Sequence, residues 1–311
     1  MNLSKNSKIA VTSRSFSKSE ILRSRITGTF SNVKFNETGE SLFGTALSDF
    51  LSGCVAAIVA LEEIDENLLS KCPDLKFISK YGVGLNSIDL QALSKYKVEL
   101  LLSPGINSYS VAELSIASAI SLLHLVPQHQ DILRNGGWKQ EKGREFKGKK
   151  IGVIGSGSVG KEFLKIASLF QAQLFAFDLN PDQEFFKKYN VQNSTVQEIF
   201  RNSDVVSIHL PLTQETKGLI GADLFAQMKR NAIILNFSRG GIVNEIELIH
   251  HLENNKFAGA AIDVFEIEPS IQSRLFELSN VIATPHIGGS TEESILAMGN
   301  SAIDKLITKI S

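Results

Sequence analysis

Arg239, Glu268 and His286 supply a fixed cation, a carboxylate and an imidazole, the parts needed to bind a small acid and move a proton at neutral pH. Each sits in a short segment that packing alone does not call for. Arg239 lies in Asn236-Phe237-Ser238-Arg239-Gly240-Gly241, directly after an apolar run. Glu268 lies in Asp263-Val264-Phe265-Glu266-Ile267-Glu268-Pro269, and His286 in Thr284-Pro285-His286-Ile287-Gly288-Gly289-Ser290-Thr291. A guanidinium forks onto a carboxylate with a geometry that an ammonium lacks. A carboxylate beside an imidazole favours its charged form and raises its pKa.

All three lie downstream of a glycine-rich turn. An apolar run, 150–154, reads as a buried strand and leads straight into Gly155-Ser156-Gly157-Ser158-Val159-Gly160, then an apolar-periodic helix over 159–170. In such a turn the first glycine permits the bend, the second admits a pyrophosphate, and the third lets helix and strand pack closely. Amides near Ser158 and Val159 would hydrogen-bond phosphate. Asp178 ends the next strand, 18 residues after Gly160. Its carboxylate suits a ribose diol and repels a 2′-phosphate, so NAD is the expected cofactor rather than NADP.

Short β-branched runs alternate with helical patterns along the chain, which is the signature of parallel sheets with crossover helices. Strands are expected at 9–12, 55–60, 76–79, 98–102, 150–154, 173–177, 205–208, 232–236, 259–262 and 281–283. A helix is expected over 111–126, opened by a capping box at Ser110-Val111-Ala112-Glu113, and a last helix over 291–308, opened by Ser290-Thr291-Glu292-Glu293. The nucleotide unit begins near Lys149, so about 100 residues before it must form an α/β layer of their own. Residues 127–147, with Trp138, read as an exposed arm.

These segments, in this order, resemble the D-isomer-specific 2-hydroxyacid dehydrogenases, and within them the 3-phosphoglycerate dehydrogenase branch. Tyr81-Gly82-Val83-Gly84-Leu85-Asn86-Ser87-Ile88-Asp89 resembles that family's substrate-carboxylate loop, and Asn107-Ser108-Tyr109-Ser110-Val111-Ala112-Glu113-Leu114 its interdomain helix. His209-Leu210-Pro211-Leu212-Thr213 and Glu215-Thr216-Lys217-Gly218 resemble its cofactor-flanking loop. The resemblance implies two doubly wound α/β domains. One is a flavodoxin-like substrate domain over 1–103 and 287–311, and the other a Rossmann NAD domain over 104–286.

The resemblance also implies roles. His286 would be the acid/base assisted by Glu268, and Arg239 would bind the substrate carboxylate. Tyr81, the amides of Val83 and Gly84, and Asn107 would bind substrate. Asp263 and the backbone at Phe237 would fix the nicotinamide carboxamide. His209, Pro211, Thr216 and Gly288 would border the cofactor. A homodimer through the NAD domain is implied as well. The branch often carries an arginine-serine pair after the strand read at 55–60; here Leu61-Glu62-Glu63 stands there, and acids would repel a substrate phosphate. The chain also ends soon after its last helix. Whether the 2-hydroxy acid is phosphorylated stays open. A dinucleotide-sensing, corepressor-like binding protein is the alternative reading.

Composition narrows the classes. The chain has 311 residues, 32 basic and 33 acidic, with a net charge of −1, so neither nucleic acid nor an anionic membrane is an expected partner. Cys54 and Cys72 show no metal-ligand spacing, and no metal is expected. They read as buried free thiols of a reducing compartment. The first residues lack an apolar leader core, so the cytoplasm is the expected location. His124 reads as a core histidine, and His250 and His251 as neighbours on a helix surface.

Overall fold

The computed structural model describes residues 2–310. The chain forms two compact units, Met1–Asn107 with Gly289–Ser311, and Ser108–Gly288.

The first unit is a five-stranded sheet, all parallel, built from β1 (Lys8–Val11), β2 (Asn32–Phe35), β3 (Ala56–Val59), β4 (Phe77–Lys80) and β5 (Glu99–Leu101) in the order β2-β1-β3-β4-β5. This is the flavodoxin-like order, with its reversal between β1 and β3. Strand residues alternate between two cores, as the twofold side-chain period requires. Ile9 and Val11 join Phe16, Met298, Ala302 and Leu306 on one face, while Ala10, Val59 and Ile78 join Leu47, Leu68 and Leu93 on the other. The last helix, Glu292–Ile307, closes the first face, and Ser79 Oγ donates to Ala302 O at 2.8 Å.

The second unit is a seven-stranded parallel sheet of β6 (Lys150–Ile154), β7 (Gln173–Phe177), β8 (Val191–Asn193), β9 (Val205–Ile208), β10 (Ile233–Asn236), β11 (Gly259–Ile262) and β12 (Val281–Ala283). The order β12-β11-β10-β9-β6-β7-β8 is that of a Rossmann domain with one added strand, and it reverses between β6 and β9. The helices Ser108–Leu123 and Ser158–Leu169 cover one face through Ile116, Ala119, Phe163 and Leu164. The helix Glu245–Glu253 and residues around Phe225 and Phe257 cover the other.

Ten strands stand close to where they are expected; β2 and β8 are additions. Both are edge strands of three or four residues, Asn-Val-Lys-Phe and Val-Gln-Asn, too short and too polar to declare a buried face.

Several helical expectations need correction. The helix expected over 111–126 begins at Ser108, so Ser110 lies inside it; its buried hydroxyl donates to Gly288 O at 2.6 Å instead of capping. That helix ends at Leu123, and the chain turns at Leu125 with φ +56° before a second helix, Val126–Arg134. His124 therefore falls in an exposed turn rather than in the core. His251 is buried, its Nδ1 bonded to Glu247 O at 2.8 Å and its ring against Phe225 and Phe257, whereas His250 is exposed. The last helix is capped by Thr291, one residue after the expected Ser290. Cys54 and Cys72 are free and buried. Among the described residues no single helix is long and apolar enough to cross a membrane.

Candidate active site

The C-terminal ends of β6 and β9 flank the point where the strand order reverses, the usual ligand position in open α/β sheets. Gly155 follows β6 with φ +92°, and a Cβ there would stand 2.6 Å from His209 O, which follows β9. A Cβ at Gly160 would stand 2.1 Å from Gly155 O, so helix and turn can close only on glycine. At Gly157 a Cβ would meet nothing within 4 Å. Gly157 is the N-cap of Ser158–Leu169, and no side chain caps it. The first-turn amides of that helix therefore have no side-chain cap, and the helix dipole lies behind them. An open glycine cradle at a helix start fits a dinucleotide pyrophosphate.

Asp178 closes the cradle from the end of β7. Its Oδ2 accepts from Ser156 N at 2.6 Å and Ser156 Oγ at 3.1 Å, and its Oδ1 accepts from Asn180 N at 2.8 Å. The carboxylate is held beside the turn, with lone pairs remaining for a diol.

His209 borders the same crevice. Ser207 Oγ lies 2.8 Å from its Nε2, and its buried Nδ1 has no partner among the described residues. Burial pushes its pKa down to about 3, so the ring is neutral and is no proton donor. The loop over Pro211 and Thr216 is tied to itself, with Thr216 Oγ1 donating to Pro211 O at 2.7 Å.

The structure brings Glu268 and His286 together. Nδ1 of His286 donates to Glu268 Oε2 at 2.7 Å, and Phe265 N donates to Glu268 Oε1 at 3.0 Å. An ionised carboxylate only accepts, so the proton sits on Nδ1 and Nε2 is left for exchange. The hydrogen bond to Glu268 raises the His286 pKa against the opposing effect of burial; the charges of Glu268 and Asp263 add and that of Arg239 subtracts. For Glu268, burial pushes the pKa up, but the bonds from His286 and Phe265 and the charges of His286 and Arg239 outweigh it and hold it below the usual range.

Arg239 belongs to the same electrostatic group. Its Nη1 donates to Ser238 O at 2.6 Å. Burial lowers its pKa and the Glu268 charge opposes that, so the guanidinium is a partly desolvated cation.

Asp263 has a role that sequence reasoning missed. Almost fully buried, it accepts from Thr284 Oγ1 at 2.6 Å, Ile287 N at 2.8 Å and Gly288 N at 2.8 Å. A buried carboxylate is tolerable only with such partners. Here they pin the turn in which His286 adopts φ +56°, a left-handed conformation costing a non-glycine residue about 1–3 kcal/mol. Gly288 thus gives its amide to Asp263 and its carbonyl to Ser110, so the structure ties its backbone inward. Asn236, also missed, shapes the Arg239 loop: its Oδ1 accepts from Ser238 N and Oγ, and its Nδ2 donates to Arg239 O at 3.1 Å. Phe237, between them, is buried. A buried Asn at a strand end was the available signal.

In the first unit, Tyr81 is buried at the end of β4 and its hydroxyl accepts from Ser15 Oγ at 3.2 Å. Val83 and Gly84 follow in a half-buried loop that Ile64 and Ile88 bridge. Asn107 Oδ1 is buried without a partner among the described residues. Glu62 corrects an expectation. It is turned inward, 7% exposed, with Oε2 accepting from Ala60 N at 2.6 Å, and of the two acids only Glu63 is exposed. Among the described residues no cluster of His, Cys, Asp or Glu could hold a metal ion.

Residues 116–288 match the family described as D-isomer specific 2-hydroxyacid dehydrogenase, NAD binding domain. The D-3-phosphoglycerate dehydrogenase of Bacillus subtilis is 35% identical over 247 residues, covering 79% of this chain and 47% of that protein. The chain spans about half the length of that relative and of two archaeal proteins of the same name. The hydroxypyruvate reductase of Thermotoga maritima is 32% identical over 262 residues, covering 82% of this chain and 84% of that one. Among solved structures, the apo form of D-lactate dehydrogenase from Escherichia coli superposes with a TM-score of 0.81 at 27% identity, covering 94% and 93% of the two chains. By these likenesses, as by its two parallel sheets and its dinucleotide cradle, the chain belongs to the D-isomer specific 2-hydroxyacid dehydrogenase family.

Proposed function

We propose that the protein is an NAD-dependent oxidoreductase that interconverts a D-2-hydroxy acid and its 2-oxo acid. The observation that carries this reading is the 2.7 Å pair of Glu268 and His286 in the unit that holds the dinucleotide cradle. A bound nicotinamide dinucleotide supplies the hydride chemistry, and the chain supplies orientation and proton transfer. Amides of Ser158 and Val159 hold the pyrophosphate beside Gly155, Gly157 and Gly160, and Asp178 holds the ribose. His209, Pro211, Thr216, Phe237, Asp263 and Gly288 border the cofactor.

Arg239 forks onto the substrate carboxylate, leaving the 2-oxygen toward His286. In reduction, Nε2 of His286 gives its proton to the 2-oxo oxygen; in oxidation it takes the hydroxyl proton back. Glu268 keeps Nδ1 protonated and the ring charged until transfer. We assign substrate contacts also to Tyr81, Val83, Gly84 and Asn107. The relatives named as reductases of 2-oxo acids support the reaction class.

The test is NADH oxidation by the purified protein over a panel of 2-oxo acids with uncharged and with phosphorylated tails. Turnover with at least one, giving the D-hydroxy product, is expected. Tight NADH binding with no turnover on any member would overturn the assignment in favour of a dinucleotide-sensing protein.

We further propose a homodimer built on the second unit. Supporting it, the helix Val126–Arg134 buries no residue within the chain, and Leu133 and Trp138 are 55% and 85% exposed beside it. Light scattering at micromolar concentration should give twice the chain mass; a monomer would contradict it.

A further inference from the structure

Residues 266–269, which carry Glu268, are exposed, so core packing does not hold this segment in place. Two backbone contacts grip it at one peptide. Gly240 lies so close that a Cβ there would stand 1.7 Å from Phe265 O and 2.8 Å from Glu266 N. On the amide side of the same peptide, Glu266 N donates to Glu245 Oε1 at 2.5 Å. Glu245 is the first residue of the helix Glu245–Glu253, whose N-cap Asn244 accepts from Glu247 N. The neighbouring amide, Phe265 N, is the one that donates to Glu268 Oε1.

We propose that Glu245 is a positioning residue for the acid–base pair. Its carboxylate holds the Phe265–Glu266 peptide and through it sets where Glu268 meets His286. A direct role in proton transfer belongs to neither Glu245 nor Glu266.

The electrostatics agree with this placement. Burial raises the Glu245 pKa, the Glu266 amide opposes, and the charges of Glu266 and Glu268 add to the rise. A carboxylate kept next to two others is costly unless its hydrogen bond is needed. His286 in turn faces Glu268, Asp263 from the end of β11, and Arg239 from the loop after β10. Removing Glu245 leaves each of these in the chain. Glu245 is not itself among the charges that shift His286, so a change there reports a shift of the loop.

The catalytic consequence rests on the proposed function, but the positioning claim does not, so the test has two readouts. The first is an NMR titration of His286 in the full chain with labelled imidazole carbons. The second is the pH profile of 2-oxo acid reduction. Glu245→Ala is expected to move the His286 titration to lower pH and to reduce kcat by about tenfold, with NADH affinity unchanged. Glu245→Gln keeps an acceptor oxygen but not the charge, and should lie between the parent and Glu245→Ala in both readouts. A folded Glu245→Ala variant with the parental titration would overturn the proposal. If Glu245→Ala does not fold, Glu245→Asp decides, because its carboxylate keeps the charge but is one methylene short of the Glu266 amide: a titration identical to the parent's would overturn it. Absence of turnover in the parent, with the titration shift intact, would overturn the function and leave the positioning role standing.

Discussion

His286 Nδ1 and Glu268 Oε2 stand 2.7 Å apart although 18 residues separate them in the chain. The contact exists because β11 and β12 are adjacent and parallel, so the loops after them meet at the same edge of the sheet. The pairing raises one pKa and lowers the other, and so sets the pH range in which the imidazole is charged beside an ionised partner.

Reduction needs protonated His286, so its rate falls as pH rises through the raised His286 pKa. Glu268→Gln removes the charge that raises it, and the descending limb should move to lower pH. The oxidation limb, which needs the neutral ring, should start at lower pH by the same amount. Stability follows the same signs. The His286 contribution is complete below its unfolded pKa and is lost as pH rises through the folded value. That of Glu268 is complete above its unfolded pKa and is lost as pH falls through the folded value. Melting curves of parent and variant should therefore differ most between the two folded values. An unmoved pH profile in a folded Glu268→Gln protein would remove Glu268 from the proton-transfer step.

Arg239→Lys keeps the charge and loses the fork. Losing one charge-assisted bond of about 1.5–3 kcal/mol should raise KM for the 2-oxo acid by roughly 10–100-fold, with a smaller effect on kcat. Steady-state kinetics over 2-oxo acid concentration read this split. A variant with parental KM would separate Arg239 from the substrate carboxylate.

Asp178 should decide between the two nicotinamide cofactors. The parent should turn over far faster with NADH than with NADPH, and Asp178→Ala should narrow the gap, chiefly by weakening NADH. Lost hydrogen bonds to the ribose diol set the scale at roughly 10–100-fold. Equal use of both cofactors by the parent would contradict the reading. Asp178 also ties Ser156 and Asn180, so a melting temperature accompanies the kinetics.

The parts of the site readable from sequence are those imposed by backbone chemistry. Gly155 and Gly160 must be glycine because of a positive φ and a close carbonyl, and their spacing shows it. Arg239, Glu268 and His286 stand out because they interrupt apolar runs with chemistry. What stayed hidden depends on contacts between distant segments. Beyond the cofactor contact expected of it, Asp263 accepts three hydrogen bonds from residues 284–288 that no sequence pattern shows. Nothing in the sequence marks Glu245, whose bond to the Glu266 amide joins segments 21 residues apart. His124 and His251 exchange expected environments because the helix ends at Leu123 and because residue 251 faces Phe225, neither of which an apolar pattern encodes.

The role of His286 as acid and base is tested most directly by His286→Ala. Its kcat for reduction of the best 2-oxo acid should fall by about 10²–10⁴ while the Kd for NADH, measured by fluorescence, stays at the parental value. A folded His286→Ala protein that turns over as fast as the parent would show that another group moves the proton.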